Sequence, residues 1–431
     1  MKTVGIIAEY NPFHKGHAYQ LRKAKELSGA DFAVVVMSGD FVQRGGPALT
    51  DKYLRAEMAL RSGADLVLEL PAVYATGSAE TFARGAVSVL EALSFVDALC
   101  FGSEAGELSE LLPYARLFEE EPPIYRACLQ GYLRQGFSFP AARSRAAEEY
   151  RNSTERILPC SADDADCRRA ASLLDSPNNI LGIEYLRALL HKKSRIEPLT
   201  LRREAAGYHE LTLDTEMASA SAIRNAVAGA DSVDRVSLDP VVAAQLPEAS
   251  TELLTGVMQR GETISLDDFS PQLFYRLLNA SQAELAAMQD VGEELAARIY
   301  KKRLAFTTAE EFADRIKTRQ VTHTRVTRAL CHILLGFSEK GLEEKKAADY
   351  PVYLRALGFR KSAGELLSAI KRESNSPLLV KAADAGKLMR AEQLTLFEQD
   401  VAAAHVYESA VALKTGRPLK NEYTRSPVIL P

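Results

Sequence analysis

Two histidines stand three positions apart in the stretch NPFHKGHA, residues 11–18, which follows directly on the apolar run Val4 to Ile7. His14 and His17 are two of only seven histidines in the chain. At a turn from a strand into a helix, both imidazoles and the free amides of the helix start would face one point. Imidazole N–H groups can stabilise charge that develops on an α-phosphate as pyrophosphate leaves, and helix-start amides favour anions. The pattern therefore predicts nucleotide chemistry that needs no covalent nucleophile.

A metal site and an exposed turn without function are the other two interpretations of this histidine pair. A metal site is disfavoured because no Asp, Glu or Cys stands nearby at ligand spacing. An exposed turn is the default for an isolated HxxH spacing. The strand before the pair, the helix after it and the Asn11-Pro12 turn together favour the phosphate site over that default.

The elements that must position the histidines alternate between short apolar runs and amphipathic stretches. Predicted strands cover residues 4–7, 32–37, 66–70 and 98–101, and predicted helices cover 17–27, 51–62 and 78–93, the last capped by Ser78. This order predicts an α/β fold with a doubly wound parallel sheet. Such sheets bind ligands beyond the carboxyl ends of their strands, where residues 8–16 fall.

Composition and length limit the classes of protein that the chain can be. A chain of 431 residues, 47% hydrophobic and 26% charged, with a net charge of −4, is ordinary for a globular protein of two or three domains. No apolar run approaches the roughly 20 residues of a membrane span. The five cysteines are scattered, without CxxC pairs. We expect a cytoplasmic protein with reduced cysteines.

The rest of the chain completes the domain organisation. Residues of about 105–175 are helical and charged, which predicts an insertion, and SPNNILGIEYLRALL (176–190) and IEPLTLRR (196–203) restore the α/β pattern. MASASAIRNAV (217–227) predicts a helix start suited to phosphates. From about 245 onward amphipathic helical segments dominate. We predict a catalytic domain over 1–240 and a mainly α-helical domain over 245–431.

Two motifs in order give a resemblance to a known superfamily. NPFHKGH resembles the HxGH signature of the Rossmann-like nucleotidyltransferases, and SASAIR (219–224) resembles their second phosphate-binding motif. Together with VMSGDFVQRGGPA, GADLVLELP, CFGSE and SPNNILGIEYL, they are similar to the bacterial tRNA(Met) cytidine acetate ligase family. The resemblance implies ATP-dependent activation of acetate as acetyl-adenylate and acetylation of N4 of the wobble cytidine of elongator tRNA(Met). ATP, with Mg²⁺ as its counterion, acetate and this tRNA are the expected ligands, and no protein group is expected to bind a metal.

The resemblance also implies a set of site residues. His14 and His17 are the expected catalytic residues. The expected ATP-binding residues are Ile7, Ala8, Glu9, Tyr10, Asn11, Pro12, Phe13, His14, Lys15, Gly16, His17, Ala18, Tyr19, Gln20, Gly102, Asn178, Arg203, Ser219, Ser221 and Arg224. Asn179 and Arg202 lie one position from two of these, and the sequence leaves those two assignments open.

The loop SGDFVQRGGPALTDK, residues 38–52, follows the second strand and is too polar to be core. A loop at the carboxyl end of a strand is a candidate for ligand binding. We therefore predict that the acetate and cytidine side of the site is formed by Glu9, Asp40, Gln43, Arg44 and Lys52. Two roles remain open for Glu69, which is either a buried capping acid or a group that orients Lys52.

A basic segment is hidden in the mildly acidic chain. Residues 298–328 contain nine Lys or Arg against three acids, a net charge of +6. MQDVGEELAARIYKKR (288–303) resembles a helix-hairpin-helix, whose glycine turn presents amides to a phosphate. The predicted tRNA-binding residues are Lys301, Lys302, Arg303, Lys317, Arg319, Arg325 and Arg328, called the basic patch below, although a solvated helix face explains the charges equally well. Residues 353–372 predict a further basic helix.

Three functions remain open on the sequence alone. The first is the acetyl-adenylate-forming tRNA ligase, which requires exchange of pyrophosphate into ATP that depends on acetate. The second is a nucleotidyltransferase that adenylylates a small phosphorylated metabolite, and the third is a non-catalytic RNA-binding protein on the same fold. The basic segment disfavours the second, and the intact set of His14, His17 and Arg224 disfavours the third.

Overall fold

The computed structural model describes residues 1–154, 173–203, 220–228 and 238–431. Within these ranges the strands β1 to β10 are, in chain order, Thr3–Ala8, Phe32–Ser38, Phe41–Val42, Gly46–Pro47, Leu66–Leu70, Ala98–Ser103, Glu197–Arg202, Leu354–Arg360, Leu378–Leu379 and Val428–Leu430. The helices α1 to α20 are, in chain order, Lys15–Ser28, Lys52–Arg61, Ala72–Ala75, Ala79–Leu93, Leu108–Glu120, Pro123–Arg134, Phe139–Thr154, Pro177–Lys192, Ala220–Ala228, Pro240–Ala244, Glu248–Gln259, Ser270–Asn279, Gln282–Ala286, Gly292–Lys302, Ala309–Ile316, His323–Leu335, Glu339–Ala347, Gly364–Glu373, Ala385–Leu388 and Ala391–Thr415.

The main sheet has the strand order β10-β8-β5-β2-β1-β6-β7, with β9 paired to β8. The five strands from β5 to β7 run parallel. The chain builds outward from β1 through β2 to β5 and then returns to place β6 on the other side of β1. The order of strands therefore reverses between β1 and β6, and a crevice opens at the carboxyl ends of the two strands at such a point.

The apolar runs form buried strands because helices cover both faces of the sheet. Along β2 the side chains alternate between two cores, with Val34 and Val36 packing on one face and Val35 and Met37 on the other. Helices α4 and α8 cover the first face and α1 and α2 the second. This period of two within a continuous apolar run is what a two-sided parallel sheet requires.

The predicted α/β architecture is confirmed for the first part of the chain. The predicted strands and helices up to residue 103 match β1, β2, β5, β6, α1, α2 and α4. Ser78 caps α4 as predicted, since its side chain accepts the Thr81 N–H. Helices α5, α6 and α7 follow β6, as the helical and charged composition indicated.

One predicted helix is wrong. Residues 353–372 do not form a single basic helix, because residues 354–360 form β8, which runs antiparallel to β5, and helix α18 begins only at Gly364. Strand β10 then adds to β8 in parallel. The exposed edge of β5 needs a partner for its backbone groups, and this pairing outweighs the helix propensity of Leu, Arg and Ala.

A buried ion cluster joins the first and last parts of the chain. Lys52 Nζ lies 2.6 Å from Glu69 and 2.7 Å from Glu422, and Arg355 contacts the same two carboxylates at 2.9 and 2.7 Å. All four side chains are at most 4% exposed. Of the two roles open for Glu69, the pairing with Lys52 is the one observed. Among the described residues, no helix is long and apolar enough to cross a membrane.

Candidate functional site

The two histidines form the start of helix α1. His14 is the N-cap, and its Nδ1 accepts the N–H of Gly16 at 3.1 Å. His17, at the third helical position, accepts the N–H of His14 on its own Nδ1 at 3.3 Å. The rings stack with centroids 3.7 Å apart. The pair therefore replaces the Ser and Glu of an ordinary capping box and satisfies two amides that a helix start leaves open.

This capping fixes which nitrogen of each ring carries the proton. Burial, followed by the charges of Arg203 and Arg224, lowers the pKa of His14 to about 3. Burial, with His14 and Arg203, also holds the pKa of His17 well below its ordinary value. A neutral imidazole has one N–H, and Nδ1 of each ring already accepts a backbone N–H. Both rings therefore carry their proton on Nε2 as hydrogen-bond donors.

His14 and His17 line a cleft at the carboxyl ends of β1 and β6. It encloses about 1070 Å³ of empty space, open solvent at its mouth included. The lining residues are Ile7, Ala8, Glu9, Tyr10, Asn11, His14, His17, Gln20, Gln43, Arg44, Phe82, Phe101, Gly102, Asn178, Leu181, Tyr185, Arg203, Ala220, Ser221 and Arg224. The cleft lies where the strand order reverses, as expected for this sheet.

One end of the cleft is cationic. Ser221 Oγ accepts from Arg44 Nη1 at 3.0 Å and from Arg224 Nη2 at 3.1 Å. Arg224 Nη1 also donates to the carbonyl of Asn11 at 2.7 Å, which ties the second motif to the first. Two guanidinium groups and a hydroxyl that converge beside a helix start suit the outer phosphates of a nucleotide. Ser219, also predicted to bind ATP, lies outside the described residues.

Of the neighbouring residues that the sequence left open, Asn178 and Arg203 line the cleft beside β6 and β7, whereas Asn179 and Arg202 do not. Asn178 lines the cleft, where its Nδ2 donates to Glu104 at 2.6 Å and its Oδ1 lies 3.4 Å from Arg203 Nη1. Asn179 instead points away, with its side chain bonded to Ala105 N and Leu173 O. A Cβ on Gly102 would lie 3.2 Å from Arg203 Cγ, so the glycine lets the arginine lie across the strand end.

The cleft also has an aromatic part, whose apolar residues were missed from the sequence. Phe82 from α4, Phe101 from β6, and Leu181 and Tyr185 from α8 line it together with Glu9. The Glu9 Oε1 atom accepts the N–H of Gln43 at 2.9 Å. Burial and the nearby charge of Glu9 raise the pKa of Tyr185, so its phenol keeps its proton. The signal was present in SPNNILGIEYL, where Leu181 and Tyr185 stand four positions apart on one helix face.

Some of the predicted ATP-binding residues do not line the cleft. His14, His17 and Gln20 share one face of the helix at a spacing of three, whereas Lys15 and Tyr19 face outward and are exposed. Phe13 is fully buried in the core beneath α1. The predicted residues that the structure does not bring to the cleft are Pro12, Phe13, Lys15, Gly16, Ala18 and Tyr19.

Two predicted residues of the acetate and cytidine side are likewise absent from the cleft lining. Lys52 is 1% exposed within the ion cluster, 3.6 Å from Asp40. Burial raises the pKa of Asp40 to about 7 despite the charge of Lys52. Below the loop, the buried Arg55 donates to the carbonyls of Glu9 and Ser38 at 2.6 and 3.1 Å. These three side chains hold the strand ends in place from beneath, while Gln43 and Arg44 reach the cleft.

The residues of the basic patch lie on and between α14, α15 and α16, and several are engaged within the fold. Arg328 pairs with Asp290 at 3.0 Å, Lys317 with Asp314 at 2.6 Å, and Lys302 donates to Arg315 O at 2.9 Å. Arg303 stacks over the Tyr300 ring. The side chains of Lys301, Arg319 and Arg325 are exposed, and the described residues include no ion-pair partner for them.

The glycine turn of the helix-hairpin-helix segment is less favourable for phosphates than the sequence suggested. Gly292 has a φ of +61° and begins α14, but Glu293 and Glu294 occupy the first turn of that helix. Two carboxylates there would repel a phosphate that approaches the free amides. The exposed cations of the patch are therefore better phosphate ligands than the turn itself.

The chemistry of the described side chains does not favour a protein-bound metal. In the ranges that the structure describes, no group of three or more His, Cys, Asp or Glu side chains is close enough to hold an ion. Both cleft histidines already use Nδ1 to accept backbone N–H groups, and each Nε2 carries a proton. The two histidines are therefore donors toward the cleft, which suits an anion.

Comparison with known proteins matches the chain along nearly its whole length. Residues 1–422 match the family model described as HIGH Nucleotidyl Transferase. The chain is 38% identical to the tRNA(Met) cytidine acetate ligase of Acetivibrio thermocellus over 431 residues, which covers 100% of both chains. It is also 38% identical to the protein of the same name from Thermoanaerobacter sp. over 413 residues, 95% of this chain and 96% of that one.

Solved structures show the same relationship. The crystal structure of Thermotoga maritima TmcAL bound with alpha-thio ATP aligns with a TM-score of 0.88 at 30% identity and covers 100% of both chains. The apo structure of the same protein aligns with a TM-score of 0.90, also over 100% of both chains. The similarity extends through the helical C-terminal region as well as the sheet.

Proposed function

This chain belongs to the HIGH nucleotidyl transferase family and, within it, to the tRNA(Met) cytidine acetate ligases, and from that premise we propose its reaction. It activates acetate with ATP as acetyl-adenylate and transfers the acetyl group to N4 of the wobble cytidine of elongator tRNA(Met). Since tRNA and ATP are its substrates, its place of action is the cytoplasm. The observation that carries the proposal is one cleft that contains the cluster of Arg44, Ser221 and Arg224, an aromatic part beside Glu9, and two fixed imidazole donors.

In the first step an acetate oxygen attacks the α-phosphorus of ATP, an O–P bond forms, and the bond to the leaving pyrophosphate breaks. The Nε2–H groups of His14 and His17 donate to the α-phosphate oxygens as their charge grows. Arg224, Arg44 and Ser221 bind the departing phosphates. Catalysis of this kind is mostly positioning and charge stabilisation, since no protein nucleophile takes part. Mg²⁺ enters only as the counterion that ATP brings with it.

The wall formed by β6 and β7 provides the adenosine side. Gly102 lets Arg203 lie across the strand end beside the nucleoside, and Asn178 offers an amide held by Glu104. Arg203 lies across this wall, close enough to Asn178 to be positioned by it. The part of the cleft around Glu9 then remains for the acyl group and its acceptor.

In the second step the N4 amine of cytosine attacks the carbonyl carbon of acetyl-adenylate. A C–N bond forms, the C–O bond to AMP breaks, AMP leaves with the electron pair, and N4 loses one proton. Glu9 is the carboxylate at this end, and a carboxylate is a natural acceptor for a cytosine N4–H. The backbone N–H of Gln43 holds one of its oxygens at 2.9 Å. Asp40 and Lys52 support this loop from below without touching the substrate.

The helical region beyond residue 245 provides the surface for tRNA. The basic patch supplies phosphate contacts, led by its exposed members Lys301, Arg319 and Arg325. Binding through such contacts weakens steeply with salt because each phosphate contact releases counterions. We therefore propose that residues 1–240 form the catalytic part of the protein and residues 245–431 the tRNA-binding part.

The direct test is incubation of the protein with ATP, labelled acetate and total tRNA, followed by nucleoside analysis. The proposal predicts label in N4-acetylcytidine and acetate-dependent exchange of pyrophosphate into ATP. Exchange that requires a small phosphorylated metabolite and ignores acetate would replace the proposal with adenylyl transfer to that metabolite. Tight tRNA binding without any exchange would replace it with a non-catalytic role.

A further inference from the structure

The short hairpin of β3 and β4, Phe41–Pro47, lies between the cleft and helix α16 of the proposed tRNA-binding part. On its inner side the Gln43 N–H bonds to Glu9, and the Arg44 guanidinium donates to Ser221 Oγ at 3.0 Å. On its outer side the hairpin lies directly on helix α16. The hairpin thus places Gln43 and Arg44 in the cleft on one side, while its other side contacts helix α16.

The contact between the hairpin and α16 is tight and specific. Thr327, 5% exposed, donates its hydroxyl to the carbonyl of Arg44 at 2.7 Å. The carbonyl of Thr324, one turn back in the same helix, lies 3.0 Å from that hydroxyl and is the competing acceptor. Gly45 has a φ of +78°, and a Cβ there would lie 2.1 Å from Arg328 N. Only a residue without a side chain permits this approach of two backbones.

Helix α16 is itself joined to two neighbouring segments by His332. His332, fully buried, places its Nε2 3.1 Å from the carbonyl of Thr76 and its Nδ1 3.0 Å from the carbonyl of Gln289. The helix also carries Arg325 and Arg328 of the basic patch. A rigid element that bears phosphate-binding candidates therefore contacts the loop that carries Arg44 into the cleft.

We propose that Thr327 is a positioning residue for Arg44, so that helix α16 of the tRNA-binding part sets the guanidinium at the phosphate end of the ATP site. The inference rests on the proposed function, because it takes that end of the cleft as the phosphate site. Thr327 touches no substrate and acts through the backbone of Arg44. Loss of its hydroxyl leaves the Arg44 carbonyl without its donor and loosens the hairpin at the point where the arginine begins.

The test compares Thr327→Val with Thr327→Ser and with Thr324→Val as a matched control. Valine keeps the shape of threonine but cannot donate, serine restores the donor, and Thr324 is an exposed threonine on the same helix. We expect Thr327→Val to weaken equilibrium binding of ATP about three- to tenfold, the range for one lost hydrogen bond. Thr327→Ser should restore most of the affinity, and Thr324→Val should match the wild type.

A second comparison places the same substitution in an Arg44→Ala background. If Thr327 acts through Arg44, the double variant binds ATP no more weakly than Arg44→Ala alone. Wild-type ATP affinity in Thr327→Val, or an equal loss with and without Arg44, would overturn the inference. ATP binding is measured without acetate or tRNA, so its outcome is distinct from a failure of acetate-dependent exchange, which would count against the proposed function instead.

Discussion

The arrangement of the two histidines leads to a prediction that distinguishes the role of Nδ1 in each ring from the role of Nε2. Asparagine places a carbonyl oxygen close to where Nδ1 of histidine stands and has nothing at the position of Nε2. His14→Asn and His17→Asn should therefore keep the backbone capping bonds of 3.1 and 3.3 Å while removing the donor that faces the cleft. Glutamine reaches the Nε2 position with an N–H group but gives up the cap.

The size of the effect follows from what the Nε2–H groups do in the transition state. Removal of one donor from a developing oxyanion costs about 10²- to 10³-fold in rate, or roughly 3 to 4 kcal/mol. Removal of both donors should cost less than the product of the single losses, because the two rings stack and serve one phosphate group. Loss of the cap alone costs about 1 kcal/mol of stability. The asparagine variants should thus be folded but slow, and alanine variants slow and also less stable.

Acetate-dependent exchange of labelled pyrophosphate into ATP measures the first step alone. Thermal unfolding measures the stability that the helix cap contributes. We expect tRNA binding to remain largely intact in His14→Ala and His17→Ala, since neither residue belongs to the basic patch. The reasoning would be refuted by an asparagine variant with full exchange activity. It would also be refuted if glutamine variants were as slow as asparagine variants while their melting temperatures were normal, because position of the donor would then not matter.

Three further predictions concern charge and burial. Charge reversal at Lys301, Lys302 and Arg325 should weaken tRNA binding and lower its salt slope by about three, without slowing tRNA-independent activation. Burial and nearby arginines lower the pKa of His14 to about 3. The neutral form of His14 therefore contributes stability to the folded protein that is lost as pH falls from 6.5 toward 3. Equilibrium denaturation should show that His14→Asn loses less stability than the wild type over this pH range. Glu422→Gln should lower the free energy of unfolding at pH 7 by ~3 kcal/mol or more, since it leaves two buried cations short of a partner. Its cationic partners lower the pKa of Glu422 to about 2 against the opposing effect of burial, so this difference should shrink as pH falls from 4.5 toward 2.

Each of these has a control or a contrary outcome within the same experiment. Charge reversal at Lys387, an exposed lysine outside the basic patch, should leave tRNA affinity unchanged. Unchanged affinity of the patch variant at low salt would remove the patch from the proposal. Parallel pH profiles of wild type and His14→Asn would show that His14 is not neutral in the folded protein. Equal stability of Glu422→Gln and wild type at pH 7 would mean that the ion cluster contributes no net stability.

The sequence predicted the elements around the cleft because their signals are local. Three of the four predicted strands, residues 32–37, 66–70 and 98–101, are apolar runs followed within two residues by Gly or Pro, and the helices show their own period and caps. The two motifs fixed His14, His17 and Arg224, which the structure brings to one cleft. Asn178 could be told from Asn179 only in three dimensions, because the choice depends on which side chain meets Glu104 and which meets Leu173.

The features that the sequence did not reveal depend on contacts between distant parts of the chain. β8 contains good helix formers and becomes a strand because the edge of β5, far back in the sequence, is free to pair with it. Asp40 and Lys52 were assigned to the cleft because their loop is polar, yet Lys52 is paired with Glu69 and Glu422 in the buried ion cluster, and Asp40 lies 3.6 Å from Lys52. The contact of Thr327 with the hairpin likewise joins residues 283 positions apart.

The pairing of β5 with β8 has a consequence for the way the protein is made. At about 5 to 20 residues per second, a ribosome needs roughly a quarter of a minute to a minute to proceed from β5 to β8. For that time the first half of the protein emerges with an unpaired strand edge and with Glu69 and Lys52 lacking Arg355 and Glu422. The nascent chain thus cannot complete its sheet until β10, residues 428–430, has left the exit tunnel. An ATP site built on this sheet is finished only when the surface that we propose for tRNA has already been synthesised.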